Sequence, residues 1–251
     1  MSTLKINNVA VSLGDRTVLE DISLTVTQGE FVSILGPSGA GKSTLFRLLT
    51  GELPPSHGSI TYGDVPLRDA DQTFAFMPQH DALMPWRRAL DNVTLGLEVQ
   101  GVGRTQARQM VAPYLSEFGL AGFEHHYPSQ LSRGMRQRAA LLRTMVQGRP
   151  IQLLDEPFGA LDALTRLQMQ RWLESRWIAS RWTTILVTHD VREAVALSDR
   201  IYVLSRRPAR VVAQVNITQS RPRLDRPAPS SAHQLEEQIL ETLFTQTGDQ
   251  T

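Results

Sequence analysis

The octet Gly36-Pro-Ser-Gly-Ala-Gly-Lys-Ser43 constrains this chain more than any other stretch. It fits the pattern G-x-x-x-x-G-K-[ST]. It lies between an apolar run, Glu30–Leu35 (EFVSIL), and an amphipathic segment, Lys42–Thr50, that ends at Gly51. The run reads as a strand buried on both faces and the segment as a helix. Glycines let the backbone curl until successive N–H groups converge on phosphate oxygens, and the helix that follows adds the positive end of its dipole. Strand, glycine-rich turn and helix in this order predict a nucleotide phosphate site. Lys42 is expected to reach the β- and γ-phosphates, and the Ser43 hydroxyl to ligate Mg²⁺. The octet alone leaves kinases, GTPases and motor ATPases open.

The rest of the chain extends this βα unit. Ile151–Leu154 (IQLL) and Thr184–Val187 (TILV) read as two more buried strands, followed by helical stretches over Ala163–Ala179 and Val191–Ser198. The alternation predicts an α/β domain with a mainly parallel sheet. Before the octet, Ile22, Leu24 and Val26 alternate with Asp21, Ser23, Thr25 and Thr27, which predicts an antiparallel strand. Between Pro85 and Gly148 helical periodicity takes over, as in Thr105–Phe118 with Met110, Val111, Tyr114, Leu115 and Phe118. A helical subdomain is therefore expected as an insertion. Ile201–Leu204 and Val211–Ile217 flank Arg206-Arg-Pro-Ala209 as a terminal hairpin; Gln219–Ser231 (QSRPRLDRPAPSS) reads as an extended linker and Leu235–Phe244 as a last short helix. The expected organisation is one domain over 1–218, with residues 85–148 inserted, and a C-terminal extension over 219–251.

Composition removes several function classes. With 26 basic and 25 acidic side chains, the net charge of +1 gives no basic excess of the kind that marks a nucleic-acid binder. The absence of cysteine excludes disulfides, thiol catalysis and Cys-ligated metals. Met1–Asn8 lacks the basic stretch and apolar core of a secretory signal, and no apolar run approaches the ~20 residues needed to cross a bilayer. Any membrane association is expected to run through a partner.

Asp155 and Glu156 follow IQLL. A carboxylate at a buried strand end can hold Mg²⁺ through water, which points to Asp155, and Glu156 can polarise an attacking water. Adjacent carboxylates at a strand end can equally start a solvated loop that caps the next element.

Leu131-Ser-Arg-Gly-Met-Arg-Gln-Arg138, opening a helix, resembles the signature of the ABC ATPase family, usually LSGGQ. Gln79, after a strand at Phe74–Met77, resembles the family's Q-loop, Ala160-Leu-Asp162 its D-loop, and His189 its switch histidine. All stand in the family's order over nearly the whole chain. The resemblance implies a P-loop NTPase (ABC ATPase) fold: an α/β core with an antiparallel β subdomain and an inserted α-helical subdomain. It implies an ATP-hydrolysing transporter subunit whose cofactors are ATP and Mg²⁺. Two copies would face head to tail with ATP between them, one cradle (Gly36, Pro37, Ser38, Gly39, Ala40, Gly41, Lys42, Ser43, Thr44) meeting Ser132 and Gly134 of the other. Gln79 would sense the γ-phosphate and ligate Mg²⁺ with Ser43 and Asp155. Glu156 would act as general base, His189 would contact the γ-phosphate, and Asp162 would line the dimer seam. The segment from Gln79 to Trp86 would receive a coupling helix of a membrane permease, with Trp86 either an anchor for it or a locally packed side chain.

Met84-Pro-Trp-Arg87, LSRGMRQR, Leu154-Asp-Glu-Pro-Phe-Gly-Ala-Leu-Asp-Ala-Leu-Thr-Arg166 and Arg221-Pro-Arg-Leu-Asp225 look like the nitrate, sulfonate and taurine importer branch, which includes uptake of pyrimidine precursors. Such importers add an extracytoplasmic solute-binding protein, and the ATPase would sit on the cytoplasmic face of the inner membrane. The rival reading is a soluble ABC ATPase of DNA repair or translation; the long coiled coils of the former and the doubled cassette of the latter are absent from this sequence. Two positions depart from the family pattern. Leu13 stands where an aromatic residue usually stacks on adenine, and Arg133 replaces the first signature glycine. Arg133 is expected to point to solvent, the arginines from Arg133 to Arg143 to form a solvated helix face, His125-His126 to lie exposed, and Trp172, Trp177 and Trp182 to be packing residues.

Overall fold

The computed structural model describes residues 2–70, 73–226 and 228–246. Met1, residues 71–72, residue 227 and residues 247–251, the last two within the expected C-terminal extension, lie outside the described residues. In chain order the elements are β1 (Thr3–Leu13), β2 (Arg16–Thr27), β3 (Phe31–Leu35), α1 (Lys42–Leu49), β4 (His57–Tyr62), β5 (Val65–Pro66), β6 (Phe74–Met77), α2 (Ala89–Val93), α3 (Leu95–Val99), α4 (Arg104–Glu117), α5 (Arg133–Met145), β7 (Ile151–Asp155), α6 (Ala163–Ser180), β8 (Thr183–Val187), α7 (Val191–Leu197), β9 (Arg200–Leu204), β10 (Val211–Asn216) and α8 (Ser230–Thr245). The chain forms two compact units, Met1–Thr73 with Gln170–Thr251, and Phe74–Met169.

The first unit holds an antiparallel sheet in the order β2-β1-β4-β5. Ile22, Leu24 and Val26 of β2 are buried, while Asp21, Ser23 and Thr27 face water, the period-two pattern of a strand with one wet face. In the same unit β3 runs parallel to both β8 and β9, and β10 returns antiparallel to β9 as the expected hairpin. Every residue of β3 and β8 is buried, which is why both read as continuous apolar runs. Leu35, Ile201 and Val203 pack with Val191, Ala194 and Val195 of α7 and with Ala232 and Ile239 of α8. That packing explains why α8 starts earlier than the sequence periodicity indicates.

The Pro- and Arg-rich stretch before α8 is not a solvated linker. The Arg221 guanidinium lies 4.1 Å from the centre of the Trp177 ring and 3.0 Å from Asp199, and the buried Glu174 accepts the backbone N–H groups of Arg223 at 2.8 Å and Leu224 at 3.1 Å. A buried carboxylate must be hydrogen-bonded or paired, and the planar guanidinium can pair with it while stacking on an aromatic face. A composition that reads as linker is here a tether.

In the second unit β6 and β7 are parallel, in register from Phe74 opposite Ile151 to Met77 opposite Leu154. The inward face of α4 is Ala107, Val111 and Leu115; Met110, expected among them, is exposed. The arginines of α5 also differ from expectation. Arg136 bonds Asp81 at 3.0 Å, Arg138 donates to the Phe118 carbonyl at 2.7 Å, and buried Arg143 donates to the carbonyls of Ala82 and Asp81, each at 2.8 Å. Irregular backbone beside a helix leaves carbonyls that no ladder satisfies, and a guanidinium fork supplies the missing donors. Only Arg133, at the helix start, faces water as expected.

Candidate nucleotide-binding and catalytic site

The glycine-rich turn follows from β3 ending in buried backbone at Leu35 and α1 beginning at Lys42. Gly39 and Gly41 take φ of +77° and +105°. A Cβ on Gly41 would stand 2.8 Å from Leu19 Cδ2 and 3.0 Å from Val18 Cγ1, so the turn requires glycine there for space as well as for conformation. No side chain caps α1; the residue before it is Gly41 itself. Lys42 and Thr44 are buried, and Ser38 and Ser43 are exposed. The Lys42 ammonium donates to the carbonyls of Gly36 at 2.8 Å and Pro37 at 2.9 Å, which holds a positive charge over the loop. A helix start and an ammonium converging on a glycine-rich turn suit a phosphate chain.

His189 lies in the same unit, exposed, two residues after β8 ends at Val187. Its neighbours are fixed on both sides. The Asp190 N–H donates to Thr188 Oγ1 at 3.1 Å, and the Asp190 carboxylate caps α7 by accepting the N–H groups of Arg192 at 2.9 Å and Glu193 at 3.2 Å. That cap, of a kind worth about 1 kcal/mol, sets where the histidine backbone stands.

In the second unit, Asp155 ends β7 and is buried, and Glu156 follows with φ of +49°. A non-glycine residue held there costs about 1–3 kcal/mol and persists only where its surroundings impose it. The Gln79 amide donates to Glu156 Oε2 at 3.3 Å, so two residues far apart in sequence meet at one carboxylate. The Glu156 carbonyl accepts from Gly159 N at 3.2 Å and from Gln137 Nε2 at 3.3 Å.

Ser132 caps α5, its hydroxyl accepting the Met135 N–H at 3.2 Å. Gly134 faces Ala160 and Leu161, where a Cβ would come within 3.4 Å of Leu161 Cδ2. Arg133 adopts helical backbone, so no left-handed strain attaches to it. Asp162 is exposed and accepts the Thr165 N–H at 3.0 Å; that bond and the Thr165 hydroxyl hold its carboxyl below the usual range.

Trp86 is 73% exposed, which excludes local packing. Its loop is nevertheless tied down by hydrogen bonds. The wholly buried Asn92 accepts the Met84 N–H at 2.7 Å and donates to the carbonyls of Met84 at 3.1 Å and Arg87 at 2.9 Å. Leu13 is 41% exposed at the end of β1. Sequence reasoning missed Arg136, Gln137 and Arg143. The available signal was their place on a helix whose other side is alanine and leucine, where 136 and 143, seven residues apart, share a face.

The profile of the family described as ABC transporter matches residues 19–159. The chain is 44% identical over 200 residues to the formylaminopyrimidine import ATP-binding protein ThiZ of Halalkalibacterium halodurans, covering 80% of this chain and 78% of that protein. It is 46% identical over 214 residues to the aliphatic sulfonates import ATP-binding protein SsuB 1 of Rhodococcus jostii, covering 83% and 81%. Among solved structures, a dimeric ATP-binding cassette in a post-hydrolysis state, bound to ADP and Pi, superposes with a TM-score of 0.76 at 29% identity, covering 86% of this chain and all of that one. This chain belongs to the ABC transporter family as an ATP-binding, ATP-hydrolysing subunit.

Proposed function

We propose that the chain energises an importer of a small organic solute, a sulfonate, nitrate, taurine or a pyrimidine-like compound, from the cytoplasmic face of the inner membrane. The import functions in the names of ThiZ and SsuB support this reading and do not favour a soluble repair or translation ATPase. Two copies would close on ATP beneath a permease, with an extracytoplasmic solute-binding protein delivering the solute. Trp86, exposed on a loop that Asn92 hydrogen-bonds on both sides, suits an anchor for the permease, since aromatic residues dominate binding hot spots. Residues 1–218 would form the ATPase domain, with 85–148 as its helical insertion and 219–251 as an extension.

Lys42 and the loop N–H groups from Gly36 to Thr44 would bind the phosphates. Ser132 and Gly134 would do so for the nucleotide on the opposite copy, with Asp162 at the seam between copies. Ser43, Gln79 and Asp155 would supply oxygen donors of the hard kind that Mg²⁺ prefers. When bound, that ion neutralises charge on the β- and γ-phosphate oxygens. Glu156 would take a proton from the attacking water, and His189 would hold the γ-phosphate in line.

The observation that carries the catalytic assignment is the Glu156 carboxylate, held at left-handed backbone with the Gln79 amide 3.3 Å away. Glu156→Gln should keep ATP affinity and lower turnover by about 100-fold or more, with the variant accumulating as an ATP-bound dimer in size-exclusion chromatography. Parental turnover in Glu156→Gln would remove Glu156 from the role of base.

A further inference from the structure

One helix holds two strained residues, one within the Gln79–Glu156 contact and one close to it. Ala82, three residues after Gln79, has φ of +45°, and Glu156 has φ of +49°. Neither is glycine, so each must be held from outside. The Ala82 carbonyl accepts from Arg143 at 2.8 Å, and the preceding residue is held twice over: the Asp81 carboxylate bonds Arg136 at 3.0 Å and its carbonyl Arg143 at 2.8 Å. The Glu156 carbonyl accepts from Gln137 Nε2 at 3.3 Å, and that same nitrogen donates to the Pro157 carbonyl at 3.2 Å. All three donors belong to α5, the helix that Ser132 caps. Gln137 is only 5% exposed, so losing it would take this donor from the buried Pro157 carbonyl and leave the Glu156 carbonyl to the Gly159 N–H, which belongs to the same turn and cannot tie it to α5.

We propose that Gln137 is a positioning residue for hydrolysis: it fixes the backbone of Glu156, so that the helix opened by Ser132 aims the carboxylate of its own chain. The proposal rests on Glu156 being the base. In the proposed dimer Ser132 faces the nucleotide of the opposite copy. A displacement of α5 on that side would therefore move Glu156 at this copy's own site, and Arg136 and Arg143 would carry Gln79 with it. One rigid helix would report occupancy of one ATP to the chemistry at the other.

Gln137→Met keeps the length and volume of the side chain and removes both donors. In the full-length protein it should lower kcat for ATP hydrolysis by about ten-fold or more while the Kd for ATP stays within about two-fold. Added to Glu156→Gln, it should lower the residual rate by less than about two-fold, because the carboxylate it aims is already gone. Parental kcat in Gln137→Met, or an equal loss in both backgrounds, overturns the proposal. Should Gln137→Met fail to fold, Gln137→Asn, which withdraws the amide by one methylene, takes its place with the same expectations, and failure of both to fold assigns Gln137 to stability alone and overturns the proposal. A wrong assignment of Glu156 shows separately, as parental turnover in the single variant Glu156→Gln.

Discussion

The Lys42 ammonium sits on the Gly36 carbonyl at 2.8 Å, with the Pro37 carbonyl accepting a second hydrogen bond at 2.9 Å. Both contacts lie within the loop that Lys42 ends, so the loop's own carbonyls fix where the charge stands. Such preorganisation lowers the cost of binding, because the long side chain need not be ordered by the ligand.

Replacing Lys42 by Met therefore removes a charge-assisted donor and orphans the Gly36 carbonyl. A hydrogen bond to a charged group is worth about 1.5–3 kcal/mol, which corresponds to roughly 10- to 150-fold in affinity. Isothermal titration of ATP into Lys42→Met should show a loss of that size. Lys42→Arg should not restore binding, because Lys42 is only 7% exposed and the guanidinium fork is too wide for its site. Parental affinity in Lys42→Met would show that the backbone N–H groups alone bind the phosphates.

Gly39 and Gly41 separate conformational strain from steric exclusion. Both have positive φ, but a Cβ on Gly39 meets nothing within 4 Å, whereas one on Gly41 meets Leu19 and Val18 within 3.0 Å. Gly39→Ala should cost only the left-handed penalty, about 1–2 kcal/mol. Gly41→Ala should cost more, by about 1–3 kcal/mol of overpacking, and should abolish ATP binding because α1 must shift. Urea unfolding of the two variants measures the difference; equal losses would show that Leu19 and Val18 yield freely.

The parts of the chain that were legible in sequence are those where one local rule decides. β3 and β8 are buried on both faces and contain little but apolar residues; the octet needs glycines for its turn; Ser132 precedes its helix as a cap should. What was not legible depends on partners distant in sequence. Arg143 reads as a surface arginine until the carbonyls of Asp81 and Ala82 are seen beside it, some sixty residues away. Arg221 reads as linker until Trp177 and Glu174 are placed under it. Period and propensity carry no information on such pairs, because guanidinium burial is decided by acceptors that only the fold brings near. Arg133 can stand where the family pattern has glycine because its backbone is helical, so glycine is not required there.

Asp91 gives the helical part of the second unit a pH dependence. Burial works to raise its pKa, but bonds from Arg108 at 2.7 Å and Arg104 at 2.9 Å outweigh it, and the net shift is downward from 3.8. A carboxyl whose folded pKa is depressed contributes stability that is present above its unfolded pKa and lost as pH falls through the folded one. The contribution should therefore be complete above about pH 4 and fade below it. Asp91→Asn should destabilise the protein by about 1–3 kcal/mol at pH 7 and flatten this part of the acid limb. Denaturant unfolding across that range checks it; an unchanged acid limb in Asp91→Asn would assign the acid sensitivity to other carboxylates.

Leu13 offers the most direct test of how the adenine is held. In the family an aromatic side chain stacks on the base from the first strands, and Leu13, at the end of β1 and 41% exposed, has no π-face to offer. Stacking of a base on an aromatic ring is worth about 1–3 kcal/mol, and a half-exposed position belongs at the lower end. Leu13→Tyr should accordingly tighten ATP binding by about five-fold. Leu13→Ala should lose little, since Leu offers the base only modest apolar contact. The gain should be larger for ATP and GTP than for CTP and UTP, because purines present the wider stacking surface. Equal affinities for all four nucleotides in Leu13→Tyr, at the parental value, would place the base away from β1 and leave nucleotide recognition to the phosphates.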